Sequence, residues 1–303
     1  MASSIPASAA EEPVRARSAG AAGAREVRRL LASLARTQTG AIGLTLGALV
    51  AMGALLAPLL APADPLAMSP RRLGLPSAAA WLGTDQFGRD LLSRLLFGAR
   101  SSLIVSLSAV TLAAGVGGTV GLVAGYFEGR LAHLLMRAVD VLMAFPTLLL
   151  ALAVVATLGA SVPNLIAAIT LAYIPIFSRI VRGSVLSTKQ NDFVQASRAL
   201  GARDARIMAR EILPNVLAPV VVQATFNLST AIMIEAALSF LGLGVQPPTP
   251  SWGTMLSEAR NFMELDPWLA VAPGTAITIA VLGFNLFGDG LRDALDPRLR
   301  GIG

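Results

Sequence analysis

Apolar residues in this chain come in long unbroken runs separated by short polar stretches. Six runs read as spans, at 41–60, 102–126, 138–158, 162–177, 216–243 and 269–287. About 20 apolar residues cross the hydrocarbon core as a helix, because a helix satisfies its own backbone hydrogen bonds where no water is present. The pattern predicts an all-α, polytopic membrane protein with six transmembrane helices, whose transmembrane domain occupies residues 27–303.

Two polar stretches between the runs keep helical order. In Trp81–Arg100, WLGTDQFGRDLLSRLLFGAR, the residues Leu91, Leu92, Leu95 and Leu96 share one face behind Arg89 and Asp90. That spacing predicts an amphipathic helix at the membrane surface. In Asp192–Asn215, DFVQASRALGARDARIMAREILPN, Phe193, Val194, Ser197 and Leu200 recur at helical spacing until Gly201, a residue suited to a left-handed helix end. A second short helix is expected after it, with Ala205, Met208 and Ile212 on one side, Arg203, Arg206 and Arg210 on another, and Pro214 stopping it. The result would be a compact knob with one apolar face. Spacing alone suits both a helix lying on anionic lipid and a docking element.

Residues 1–26 lack apolar periodicity and read as a disordered tail. Arg28-Arg29 before the first run and Ala61-Pro62-Ala63 after it have the outline of a cleaved leader. The run between them is long enough to span, so an uncleaved first helix is expected.

Composition narrows the classes. Only 14% of residues are charged and 54% are hydrophobic, against about 25% charged in a soluble domain. With no Cys and a single His, His133, thiolate and multi-histidine metal sites are excluded. The only lysine, Lys189, follows Thr188 without the glycines of a phosphate-binding loop, so any nucleotide chemistry belongs to another subunit. The net charge of +6 reads as topology rather than nucleic-acid affinity. Of 24 Lys and Arg, six fall outside (Arg71, Arg72, Arg89, Arg94, Arg100 and Arg260) when both termini and the 192–215 knob are placed in the cytoplasm. Five of those six crowd the first outer loop, against the rule, with Asp64, Asp85 and Asp90 as partial counterweight.

Inside the spans, Gly117, Gly121 and Gly125 form a small-residue stripe that lets a neighbouring helix approach. Asp140 is expected to pair with Arg137. Asn227, mid-span, suits an interhelical hydrogen bond, and Glu235 is expected near the outer face close to solvent; both are candidates for the translocation path. Trp252 and Trp268 are expected at the membrane interfaces, and Pro146, Pro163 and Pro175 allow kinks.

The order of residues adds a resemblance. Gln195-Ala196-Ser197, Gly201 and Ile212-Leu213-Pro214 resemble the "EAA" coupling loop of ABC-importer permeases, with Gln195 in place of the usual Glu and Ser197 in place of the second Ala. Gly83-Thr84-Asp85-Gln86 with Gly88-Arg89-Asp90 resembles the first-loop signature of the C-type permease subunit in dipeptide, oligopeptide and nickel ABC importers. Glu235-Ala236, Pro250-Ser251-Trp252-Gly253, Phe284-Asn285-Leu286 and Asp296-Pro297-Arg298 match the same family, so the resemblance covers roughly residues 27–303.

The resemblance implies a type I permease fold with a cytoplasmic coupling helix at 192–215. It also implies a B-type permease partner, two ATPase subunits that hold ATP and Mg, and an extracytoplasmic solute-binding protein, all at a bacterial inner membrane. On this reading the chain binds no cofactor and catalyses nothing itself, and the cargo stays open among dipeptides, oligopeptides, nickel chelates and other small solutes. A secondary transporter would more usually carry inverted repeats and midplane charges, which are not apparent. A membrane scaffold or enzyme would need an extramembrane domain or a catalytic cluster, and the loops are too short and chemically bare for either.

Overall fold

The computed structural model describes Leu34, Ala35 and residues 37–295, and within them it contains helices, loops and two isolated bridges. The tail expected at 1–26 and the Asp296-Pro297-Arg298 motif lie outside the described residues. In chain order the helices are α1 (Gln38–Leu55), α2 (Ala57–Leu60), α3 (Leu91–Tyr126), α4 (Arg130–Met143), α5 (Thr147–Leu158), α6 (Val162–Thr188), α7 (Asp192–Ala199) and α8 (Asp204–Arg206). A π-helical turn, Ile207–Ile212, leads into α9 (Leu213–Phe240), followed by α10 (Trp252–Ala259) and α11 (Trp268–Leu295). Five of these stretches are long and apolar enough to cross a membrane, and α4 with α5 supplies a sixth if the two count as one crossing.

Two close pairs and a bridging helix build the bundle. α3 packs along α6, α1 along α11, and α9 touches α3, α6 and α11. The α3–α6 seam is the glycine stripe. A Cβ on Gly117 would lie 2.5 Å from the Ile174 carbonyl oxygen, one on Gly125 2.8 Å from Val185 Cβ, and one on Gly121 would fall on the Ser178 carbonyl. Backbones approach that closely only where side chains are absent. A second glycine seam joins α1 to α11: a Cβ on Gly290 would lie 2.6 Å from Gly40 Cα, and one on Gly283 2.9 Å from the Gly47 nitrogen. Around these seams lie two apolar cores, one centred on Leu165, Ile169 and Phe177, the other on Ile232, Trp252 and Leu269.

Several expectations need correction. The third span is not one helix: α4 and α5 meet at 90°. Pro146 is the cause, with ψ 134 placing it in extended backbone at the cap of α5. The surface helix expected at Trp81–Arg100 does not exist separately. Its leucines begin α3, a continuous helix of 36 residues that is about 54 Å long and so overshoots a hydrocarbon core of about 30 Å. Asp90 caps that helix, its Oδ2 accepting from the Ser93 amide at 2.7 Å. α6 runs on past Arg179 and Arg182 to Thr188. Pro214 does not end the knob's second helix either. The π turn widens the backbone before the proline, with the Leu213 amide reaching Met208 O, and the helix continues into α9.

Candidate functional site

The knob lies at the end of the bundle where α3 stops and α6 stops. α7 follows α6 after a short turn, with Asp192 in its first turn and Arg198 in its last, each favourable to the helix dipole. At its end Gly201 adopts φ +77. Its amide bonds to Arg198 O at 3.0 Å and that of Ala202 to Ser197 O at 3.1 Å. This double closure satisfies the last carbonyls of α7 and needs a left-handed residue at Gly201. Nothing lies within 4 Å of a Cβ built there, so the requirement is one of backbone conformation alone.

The apolar face of the knob is divided between two jobs. Val194, Ile207, Ile212 and Val216 are buried against Tyr126, Val181 and Val185, so the chain uses them to seat the knob on its own α3 and α6. What remains outward is Phe193, Leu213, and above all Leu200 at 88% exposure, together with Gln195, Ala196, Ala205 and Pro214, while Ser197 is half-buried. The seat has a polar rim. Tyr126 donates to Asp204 Oδ1, the Arg198 guanidinium stands 5.7 Å from the Tyr126 ring centre, and Lys189 Nζ is 2.9 Å from Glu128 Oε1. The Lys189 hydrogen bond and its charge hold the Glu128 carboxyl below its ordinary value. Gln195 Nε2 donates to Lys189 O at 3.0 Å, a bond that an ionised glutamate at this position could not make.

The intramembrane polar residues lie differently from expectation. Glu235 is not near solvent; it is fully buried under the loop that leads to α10. Its Oε1 accepts from Ser239 Oγ at 2.7 Å, and Ser239 Oγ accepts in turn from the Val245 amide. The Ser102 and Ser251 hydroxyls face the same carboxyl group. Through Ser239, Glu235 is linked to the loop that leads to α10, while its Oε2 is buried without a hydrogen-bond partner among the described residues. Asn227 makes its hydrogen bond within α9, accepting from Gln223 Nε2 at 2.9 Å. The interhelical bonds of α9 come from its neighbours: Ser229 Oγ meets Asn285 Oδ1 of α11 at 2.6 Å, and Tyr173 of α6 donates to Thr230 Oγ1 at 2.8 Å. Asp140 pairs across to Arg179 of α6 at 2.8 Å, not with Arg137. Trp252 is 2% exposed, with its indole N–H on Leu95 O at 3.1 Å, and is a core residue rather than an interface anchor. Trp268 is exposed.

At the end of the bundle opposite the knob, two of the five arginines counted in the 61–101 loop, Arg89 and Arg94, are held in an ion-pair cluster. Arg89 Nε is 2.6 Å from Asp85 Oδ2 and Arg89 Nη2 is 2.8 Å from Glu258 Oε2. Arg94 Nη2 reaches the same Glu258 oxygen at 2.8 Å, with its Nε 3.4 Å from Asp85. The arginine side chains are nearly closed off from solvent, at 5% and 2% exposure. Glu258 stands on α10, more than 160 residues along the chain from either arginine, so the ion-pair cluster fastens the long loop to α10. The GTDQ-x-GRD wording was visible in sequence, but nothing local named Glu258 as its partner.

Comparison with known proteins agrees with this geometry. Residues 117–301 match the family described as binding-protein-dependent transport system inner membrane component. The dipeptide transport system permease protein DppC of Alkalihalophilus pseudofirmus is 46% identical over 274 residues, covering 90% of each chain. The di/tripeptide transport system permease protein DppC of Pseudomonas aeruginosa is 47% identical over 265 residues, covering 85% of this chain and 88% of its own. The glutathione transport system permease protein GsiD of Escherichia coli is 51% identical over 226 residues, covering 75% of both chains.

Proposed function

We propose, from the premise that this chain belongs to the family of binding-protein-dependent transport system inner membrane components, that it is a permease subunit of an ATP-driven importer of short peptides. The observation that carries the reading is the continuity of the knob with a membrane helix. From Asp204 to Phe240 the backbone is helical for 37 residues, so the second half of the knob and α9 are one lever. The knob faces the cytoplasm and offers Phe193, Gln195, Ala196, Leu200, Ala205 and Leu213 to an ATPase subunit. Gly201 and Pro214 shape that surface, and Ser197, Ile212 and Val216 hold it on the bundle.

A push on the knob is then transmitted along α9. At the far end of α9 lie Glu235 and Ser239, which bear on the segment carrying α10. Tilting α9 against α6 and α11 strains the Thr230 and Ser229 bonds and shifts the balance between two arrangements of the bundle. ATP and Mg bind in the partner ATPases, a B-type permease completes the path, and a solute-binding protein delivers the cargo on the face opposite the knob. The two peptide permeases among the relatives support peptides as the solute class.

The test is uptake into vesicles holding the complete complex with its binding protein outside and ATP inside. Uptake of a labelled dipeptide that stops on omitting ATP or the binding protein supports the reading. Uptake that continues without ATP and follows an imposed ion gradient overturns it.

A further inference from the structure

Beside the ion-pair cluster lies a cavity of about 840 Å³, between the 61–90 loop and the α10 segment. Its volume is within the range of small-ligand pockets, about 300–1,000 Å³. Its polar lining comes from Arg72, Gln86, Arg89, Glu258 and Asn261. Phe87 and Phe262 line the walls, with Pro247 and Pro248.

The hydrogen-bonding capacity of these groups is only partly used. Arg89 spends Nε on Asp85 and Nη2 on Glu258, which leaves Nη1 with no protein partner among the described residues. Glu258 accepts both arginines at Oε2 and nothing at Oε1. Arg72 is exposed and takes part in no ion pair among the described residues. The cavity lining itself carries two guanidinium groups, Arg72 and Arg89, and one carboxylate, Glu258, an excess of one positive charge. The cavity wall also holds Leu73 at φ +50, a conformation rarely taken by a residue with a side chain, kept there by its amide bond to Asp85 O at 3.0 Å.

A cavity that offers spare guanidinium N–H groups, one spare carboxylate oxygen and aromatic walls is complementary to a zwitterion with an apolar body. We infer that this cavity is a receiving site for a short peptide, with the peptide's α-carboxylate on Arg72 and Arg89 and its α-ammonium facing Glu258. Side chains of the peptide then meet rings and prolines, which contact them without directional demands. Termini are read and side chains are tolerated. This inference rests on the peptide-importer reading and deepens it.

The experiment uses the assembled complex of permeases and ATPases in nanodiscs without the binding protein, and measures equilibrium binding of the dipeptide Ala-Phe and of its C-terminal amide. The parental complex is expected to bind the free acid about tenfold more tightly than the amide, as befits a charged hydrogen bond. Arg72→Gln, at an exposed and unpaired position, is expected to bind the acid as weakly as the amide. Equal binding of acid and amide by the parental complex, or unchanged discrimination in Arg72→Gln, overturns the inference. So does a variant that loses affinity for the binding protein while binding Ala-Phe as before, because the cavity would then be a protein-docking face. Uptake of Ala-Phe by the parental complex with its binding protein separates the two claims. Uptake without direct binding removes the receiving site alone, and absence of uptake removes the peptide reading and the site with it.

Discussion

Replacing Gly121 with Ala puts one methyl group into the α3–α6 seam, and the structure says how much room it finds. Its Cβ would sit 2.9 Å from Val181 Cβ and 3.0 Å from the Arg182 nitrogen, besides overlapping the Ser178 carbonyl. Carbon contacts are comfortable at about 3.5–4.0 Å, and the opposing atoms are backbone or Cβ, so none can rotate away. The two helices must separate, at a cost of about 1–3 kcal/mol for an overpacked core. Ala also gains about 1 kcal/mol of helix propensity over Gly, which would mask part of the loss. Gly115 supplies the control. It lies in the same helix and a Cβ there meets nothing within 4 Å, so Gly115→Ala takes the propensity gain without the clash. The difference between the variants therefore isolates packing, and Gly121→Ala should be less stable than Gly115→Ala by about 1–3 kcal/mol. Unfolding of the purified subunit in mixed micelles, titrated with SDS, measures that difference. Equal midpoints and slopes for the two variants would refute the close packing of α3 on α6.

The ion-pair cluster predicts that Glu258→Gln costs about 3 kcal/mol of stability in the same titration, because two closed-off guanidinium groups lose their shared carboxylate. Pairing it with Arg94→Met should restore part of the loss, and a silent Glu258→Gln would contradict the cluster's role. Ser229→Ala should cost about 0.6 kcal/mol and at most about 1.7, the measured span for interhelical hydrogen bonds in lipid. The Glu128 carboxyl is held below its ordinary 4.5 by Lys189, so the pair contributes fully above that pH and its contribution is lost as pH falls through the depressed value. Hydrogen exchange at the knob should therefore rise below pH 4.5 in the parental chain and show no such step in Glu128→Gln.

The sequence was most informative where one physical demand acts locally. A crossing helix must be apolar along its length, so the runs marked the bundle, and Gly201 was legible because closure of α7 needs a left-handed residue. Pro146 shows the limit. Pro175, Pro219 and Pro273 lie inside intact helices, so a proline in a span does not announce a 90° bend. Partners distant in the chain were also hidden. Arg137 is the nearest cation to Asp140 in sequence, yet Arg179 takes it from 39 residues away. The depth of Glu235 could not be read from its place in a span, since the segment that buries it folds back from residues beyond α9. The division of the knob's apolar face was hidden for a related reason: periodicity marks an apolar face without saying whether the chain itself or a partner covers it.

In the function proposed above, the outward part of the knob docks an ATPase. Leu200 tests it most directly, because at 88% exposure it contributes little to the fold of this chain, while a charge placed there would be trapped in a docked interface. The measurement is the amount of ATPase retained per permease when the Leu200→Asp complex is purified, beside the unfolding midpoint of the permease itself. An unchanged midpoint and loss of most of the ATPase are expected. Parental retention of the ATPase with Asp at position 200 would show that the knob is a surface helix and not the coupling site.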